Sequence, residues 1–409
     1  MASTAVTVYN RVLIVLSVAS DQLPNHSNYL HELRRLKVAT VRTIQSPDGD
    51  VIHCVRREKQ PALDHPLLRG HTLQDSPSYV PKELEEVYDR SLSHIKASPF
   101  FGVFGTQLWH RKGRCPQNTV PIRRPPYSYH LPTHHARRHY YSNASQTSKD
   151  HNFILFKYCM QYAIGQLDQD SIYGTYAIFN AWKPFVAKEN EFSLAQIWLV
   201  AGNYSDTSLD TIEVGWTVSP QAYGDNNTRF FMFWTNDFYK SGCLDLRCPG
   251  FVQVSNDMVL GGTIGPTSSP ERQLEMQPIL VWKEKVTGNW WLRIGMTHIG
   301  YWPASLFKNG LQEKARRVQW GGEITNTFTG GLHTTTQMGS GSFAQEGFGK
   351  ACYARSLHIV DSSNALSPVP TSIGYVTSNP TCYTVSHASN QAWGSAFYFG
   401  GPGLNPNCQ

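Results

Sequence analysis

The sequence predicts an all-β protein: an antiparallel β-sandwich of jelly-roll type, preceded by a small mixed α/β segment. Three observations carry that expectation. Aromatics make up 12% of the 409 residues, charged residues only 16%, and there are 32 Gly and 24 Pro. Sheets favour aromatic and β-branched residues, while Gly and Pro punctuate them. From about residue 151, short apolar or alternating runs recur: Tyr176–Asn180, Gln196–Val200, Phe230–Trp234, Phe251–Val254, Ile279–Trp282 and Trp290–Ile294. Turn signals such as Gly-Asp, Gly-Gly and Thr-Gly-Asn separate them, and many such strands without intervening helices argue a sandwich. The length suits two or three domains and a large core.

The elements follow in order. Arg11 precedes a short apolar run, Val12 to Val18, closed by the small residues Ala19 and Ser20. Residues 1–20 are therefore expected to be a signal peptide. Residues 21–124 form a mixed segment. Leu30, Leu33 and Leu36 fall at helical spacing within 28–37, Ser46-Pro-Asp-Gly-Asp50 reads as a turn, Val51–Val55 as a strand, and Lys82–Ala97 as an amphipathic helix. Prolines recur from Arg114 to Pro126 and exclude a helix there. Residues 125–150 read as an exposed linker with a processing site. Residues 151–409 carry the sandwich, with one helical exception expected at Ala304–Arg317.

Cysteines and sequons point to a secretory route, either to the apoplast or to the vacuole. Cys243 and Cys248 are five residues apart. A small disulfide loop is the better reading, since no second half-site completes a zinc pattern. Cys382 and Cys408 bracket the C-terminal tail and suit a second bridge. Cys54 and Cys115 both lie in the first part and suit a third, while Cys159 and Cys352 have no obvious partner. Sequons occur at Asn25, Asn143, Asn203 and Asn226; the last three are the expected glycan acceptors. His134, His135 and His139 have no H-E-x-x-H glutamate and sit in the linker, so no metal and no cofactor is expected.

The net charge of +6 divides unevenly. Residues 1–150 hold 20 Lys+Arg against 12 Asp+Glu, the remainder 16 against 18, and 11 of the 16 His fall in the first part. The basic charges are scattered, so a basic cover over a mildly acidic body fits and a nucleic-acid partner is not expected. No run approaches the ~18 apolar residues of a membrane span.

Two segments carry candidate chemistry. In Asp210-Thr-Ile-Glu213-Val-Gly-Trp216, strand alternation places Ile212, Val214, Trp216 and Val218 on one face and Glu213, Gly215 and Thr217 on the other. In Val318-Gln-Trp-Gly-Gly-Glu323-Ile324 the same parity separates Val318 and Trp320 from Gln319, Gly321 and Glu323. Each segment anchors an aromatic in a core and presents a glutamate beside a glycine, where a substrate backbone has room to approach. Two carboxylates in one cleft can do general acid–base work if their environments push their pKa values apart. Gln196, Trp198, Trp216 and Tyr301 are candidates for lining that cleft. A strand glutamate is more often merely solvated, and tryptophans are more often core. A glycoside hydrolase with two cleft carboxylates and a non-catalytic carbohydrate- or cell-wall-binding module are the rival readings.

The runs resemble the plant neprosin family of glutamic endopeptidases. The motifs that carry this are Phe192-Ser-Leu-Ala-Gln-Ile-Trp198, Ile212-Glu-Val-Gly-Trp216, Tyr223-Gly-Asp225, Phe233-Trp-Thr-Asn-Asp237 and Gly242-Cys-Leu-Asp-Leu-Arg-Cys-Pro-Gly250. Gly300-Tyr-Trp-Pro303, Trp320-Gly-Gly-Glu323, His333-Thr-Thr-Thr-Gln-Met-Gly-Ser-Gly341 and Phe397-Tyr-Phe-Gly-Gly-Pro-Gly403 continue the series. Ile44–Asp50 and Gln60–Leu68 resemble the family's activation peptide. The resemblance implies a secreted zymogen whose catalytic glutamates fall on Glu213 and Glu323. It also implies cleavage after proline and a prosegment acting as an intramolecular inhibitor. Acid would charge the prosegment histidines and neutralise carboxylates on the body, which loosens the cover.

Overall fold

A computed structural model describes residues 34, 36–96, 101–103, 107–124, 159–203, 208–327 and 332–409. The expected signal peptide, the linker, Asn25, Asn143, the linker histidines and most of the 28–37 helix lie outside those residues. Two antiparallel sheets dominate. The first has seven strands in the spatial order Ser241–Leu244, Arg229–Asn236, Ser208–Val218, Ser193–Asn203, Ala315–Asn326, Cys159–Ile172 and Gly374–Thr377. The second has nine strands. Its central run is Val252–Gln253, Thr297–Trp302, Trp290–Ile294, Ile279–Lys283, Gly174–Phe179, Cys352–Val360 and Phe397–Gly400.

Alternation explains how the sheets pack. Ile212, Val214 and Trp216 from the first sheet meet Ile279, Val281, Trp290 and Leu292 from the second in one continuous core. Trp216 donates its ring N–H to the Asn180 carbonyl at 3.0 Å, which satisfies the one polar atom it buries there. The other face of the seven-stranded sheet carries a separate apolar cluster of Leu194, Trp198, Phe231, Phe233, Phe192 and Ile164.

The N-terminal segment folds as a three-stranded sheet, Thr40–Gln45, Val51–Arg56 and Thr119–Arg123, with the helix Leu84–Lys96 and short 3-10 turns. The turn at Ser46–Asp50 closes as expected, with Gly49 at φ +90° donating to the Ser46 carbonyl at 3.0 Å. Cys54–Cys115, Cys243–Cys248 and Cys382–Cys408 are bridged; Cys352 is free and buried.

The helix expected at Ala304–Arg317 is not formed. A 3-10 turn covers Ala304–Leu306, and Ala315–Asn326 is already strand. The Asp210 carboxylate is the reason. It accepts the backbone N–H groups of Lys308, Asn309 and Leu311, and so takes up amides that a helix would have paired internally. Among the described residues no helix is long and apolar enough to cross a membrane.

Candidate active site

Glu213 and Glu323 stand on the two strands that flank Ser193–Asn203, near the middle of the seven-stranded sheet. The register puts Trp198 opposite Glu213, and Leu194 opposite Glu323. Gln196, halfway between, faces Gly215 on one side and Gly321 on the other. Directly opposed residues share a face, so both glutamates, Gln196 and Trp198 project from the same surface. The two glycines leave the floor beside Gln196 clear. A Cβ at Gly215 would stand 2.0 Å from the Ala195 carbonyl oxygen; at Gly321, where φ is +133°, it would stand 2.5 Å from that of Ala163.

Both carboxylates are buried, at 2% and 3% exposure. Their hydrogen bonding differs. Glu213 accepts Gln196 Nε2 at 2.9 Å on Oε2 and Thr211 Oγ1 at 2.9 Å on Oε1. Thr211 is supported in turn by Thr235 at 3.0 Å. Glu323 is hydrogen-bonded by Tyr162, its cross-strand neighbour, while its Oε1 has no partner among the described residues. Burial pushes Glu213 up to about 7, against the pull of its two donors. Burial pushes Glu323 further, well above the usual carboxylate range, and the charge on Glu213 adds to it. Around neutral pH the arrangement therefore holds one proton on Glu323 and leaves Glu213 able to ionise. One group can take a proton while the other gives one.

The other expected lining residues divide. Gln196 and Trp198 share the glutamate face. Trp216 does not; pleat parity turns it into the core between the sheets. Tyr301 lies on the nine-stranded sheet, where its hydroxyl meets His71 Nε2 at 2.8 Å and accepts the Gln74 N–H at 3.1 Å. Thr211 and Tyr162 were not singled out from sequence. Thr211 was within reach of the argument, two residues before Glu213 on the same face. Tyr162 was not, because its strand pairing spans about 160 residues.

Asn203 and Asn226 are both exposed, and so open to a glycan. His333 lies within metal-ligand reach of Cys382 and Cys408, but those sulfurs are bonded to each other and leave a single imidazole.

Fold and site together define a two-sheet sandwich with a buried, unequally protonated carboxylate pair on one outer face. Residues 189–402 match the neprosin family and residues 43–164 match the neprosin activation peptide. The chain belongs to the neprosin family and is a peptidase that carries an activation peptide.

Solved structures with partial likeness include scytalido-glutamic peptidase bound to a peptide-based transition-state analogue. It is 9% identical over 59% of this chain and 98% of that one, with a TM-score of 0.31. SCP-B, a member of the eqolisin family of peptidases in complex with the tripeptide Ala-Ile-His, gives 8%, 59%, 98% and 0.30. CG-16, a homodimeric agglutinin from chicken liver, gives 9%, 41%, 94% and 0.20. Overlaps of this size carry no argument about chemistry.

Proposed function

We propose that this chain is the zymogen of a secreted glutamic endopeptidase, delivered to the apoplast or the vacuole, that cleaves peptide bonds after proline. The observation that supports it best is the unequal environment of Glu213 and Glu323 on one sheet face. Glu213, held by two donors that favour its charged form, takes a proton from an attacking water. The water oxygen bonds to the scissile carbonyl carbon. Glu323, protonated, donates to the developing oxyanion and then to the leaving nitrogen as the C–N bond breaks. Gln196 fixes the Glu213 carboxylate, and Trp198 forms one wall of the cleft.

The burial of both glutamates suits an enzyme whose site opens only on maturation. Opening admits water and lowers both pKa values, so the one-proton window moves towards acid. The test uses acid-matured protein and a proline-containing peptide between pH 3 and pH 7. Glu213→Gln and Glu323→Gln should each lower kcat by roughly 10²- to 10⁴-fold. Undiminished turnover in either variant removes the glutamate pair. Cleavage that ignores proline removes the specificity but leaves the mechanism.

A further inference from the structure

The folded part of the activation peptide, residues 36–124, sits away from the glutamates. Its apolar residues Val55, Ala62, Leu68, Leu84, Val87 and Ile122 belong to the same continuous core as the sandwich. The separate cluster on the glutamate face contains no residue from 36–124. Its main footing is the outer face of the nine-stranded sheet. There Trp282, Trp291 and Tyr301 form a cross-strand row on three adjacent strands. Trp282 donates to the Tyr79 carbonyl at 3.1 Å, Tyr301 meets His71 and Gln74, and Tyr176 pairs with Ser91 at 2.7 Å.

Two further contacts tie the units together. Residues Phe101–Val103 add a parallel strand to Gln273–Glu275. At the rim of the glutamate face Asp50 accepts from Arg229, a fully buried guanidinium, at 2.8 and 3.2 Å, and Arg123 binds the same carboxylate at 2.7 Å. Arg229 is four residues along its strand from Phe233, which stands opposite Glu213. The body reaches the glutamate face at that edge and is not bonded to either glutamate.

We infer that residues 36–124 are a resident subunit, which stays bound to the sandwich by non-covalent contacts after the chain is cut between 125 and 158. None of the three disulfides joins the two parts, so cutting leaves no covalent tie. Departure would uncover the Trp282–Trp291–Tyr301 row and Tyr176, where each aromatic buries about 150–250 Å². That exceeds the apolar patch of about 300–600 Å² that a soluble monomer tolerates. It would also strip a buried arginine of one of its carboxylates. The stacked geometry of the row argues for a protein cover and not a sugar. Trp282 and Trp291 lie 6.4 Å apart at 28°, ring against ring, and so do not offer a flat platform.

The inference builds on the activation-peptide reading, and its test does not depend on peptidase activity. A recognition sequence for a site-specific protease is placed within residues 125–150 of the full chain, in a Glu213→Gln background to prevent self-cleavage. After complete cutting at pH 7.5, size exclusion should give one peak containing both fragments. Two separate peaks overturn the inference. Asp50→Asn in the same cut protein should raise the dissociation constant between fragments at least tenfold. An unchanged constant overturns the role given to the Asp50–Arg229 pair. Circular dichroism of the uncut variant checks that it is folded.

Discussion

Glu213 offers a stability measurement that is independent of turnover. Its carboxyl titrates at about 7 in the folded chain against 4.5 when free. The group is fully buried, so the shift can be read as folding energy. Below pH 4.5 it is protonated in both states and costs nothing. Above 7 it is charged in both, and the folded state bears the penalty. Stability therefore falls as pH rises from 4.5 to 7, by about 3 kcal/mol at 1.36 kcal/mol per unit. Glu213→Gln removes this dependence. Thr211 and Gln196 can still bond the amide, so any fixed cost of the substitution is the same at both pH values. The difference in melting temperature between variant and wild type should therefore be larger at pH 8 than at pH 4. For a chain of this size the gap should be about 4–6 °C in favour of the variant. Glu323 stays protonated across this range, so Glu323→Gln should show little such gap. An equal Glu213→Gln difference at pH 4 and pH 8 would show that Glu213 is not held in a dry, low-dielectric site.

Other outcomes follow from the same structure. Gly215→Ala and Gly321→Ala should each cost roughly 3 kcal/mol or more, because the new methyl meets backbone oxygen on the neighbouring strand; ordinary melting curves refute this. Cys54→Ser with Cys115→Ser opens a bridge spanning 61 residues, which should cost about 4 kcal/mol in chain-entropy terms and be visible as a lower denaturant midpoint. Binding of the cut body to the sandwich should weaken in acid. His53, His65, His71 and His110 on the body, and His298 and His358 on the sandwich, are all held below the ordinary imidazole range, first by burial. Arg124, Lys308, Arg293 and Arg90 add to it beside His53, His65, His298 and His358, while Asp257 opposes it beside His110. Binding is therefore complete above about pH 6.5 and lost as pH falls below it. Equal release rates at pH 7.5 and pH 5 contradict this.

What the sequence yielded was parity, and what it withheld was pairing. Alternation alone separated Glu213 and Gly215 from Trp216, and Glu323 from Trp320, because each strand obeys a two-residue period whatever its neighbours. The same parity excluded Trp216 from the cleft, and ranking it there put aromatic character ahead of direction. Tyr301 failed for a different reason. Its face could be counted from sequence, but its sheet depends on contacts between distant residues. The Ala304–Arg317 segment failed because its amides are taken by Asp210, about a hundred residues earlier. Those are long-range facts, and no local window contains them.

The site is written in the pleat of two strands, and this makes it sensitive to counting. Losing or gaining one residue anywhere between Ser208 and Glu213, with the far end of the strand held in register, would exchange the two faces. Glu213 would point into the interlayer core, and a branched aliphatic side chain would take its place beside Gln196. Substitutions in this sheet can be graded by size and polarity, but length cannot change by one without abolishing the pair. Lineages descending from such a chain should therefore vary the ends of these strands and their loops freely, while the number of residues between Glu213 and Gly215, and between Gly321 and Glu323, stays constant.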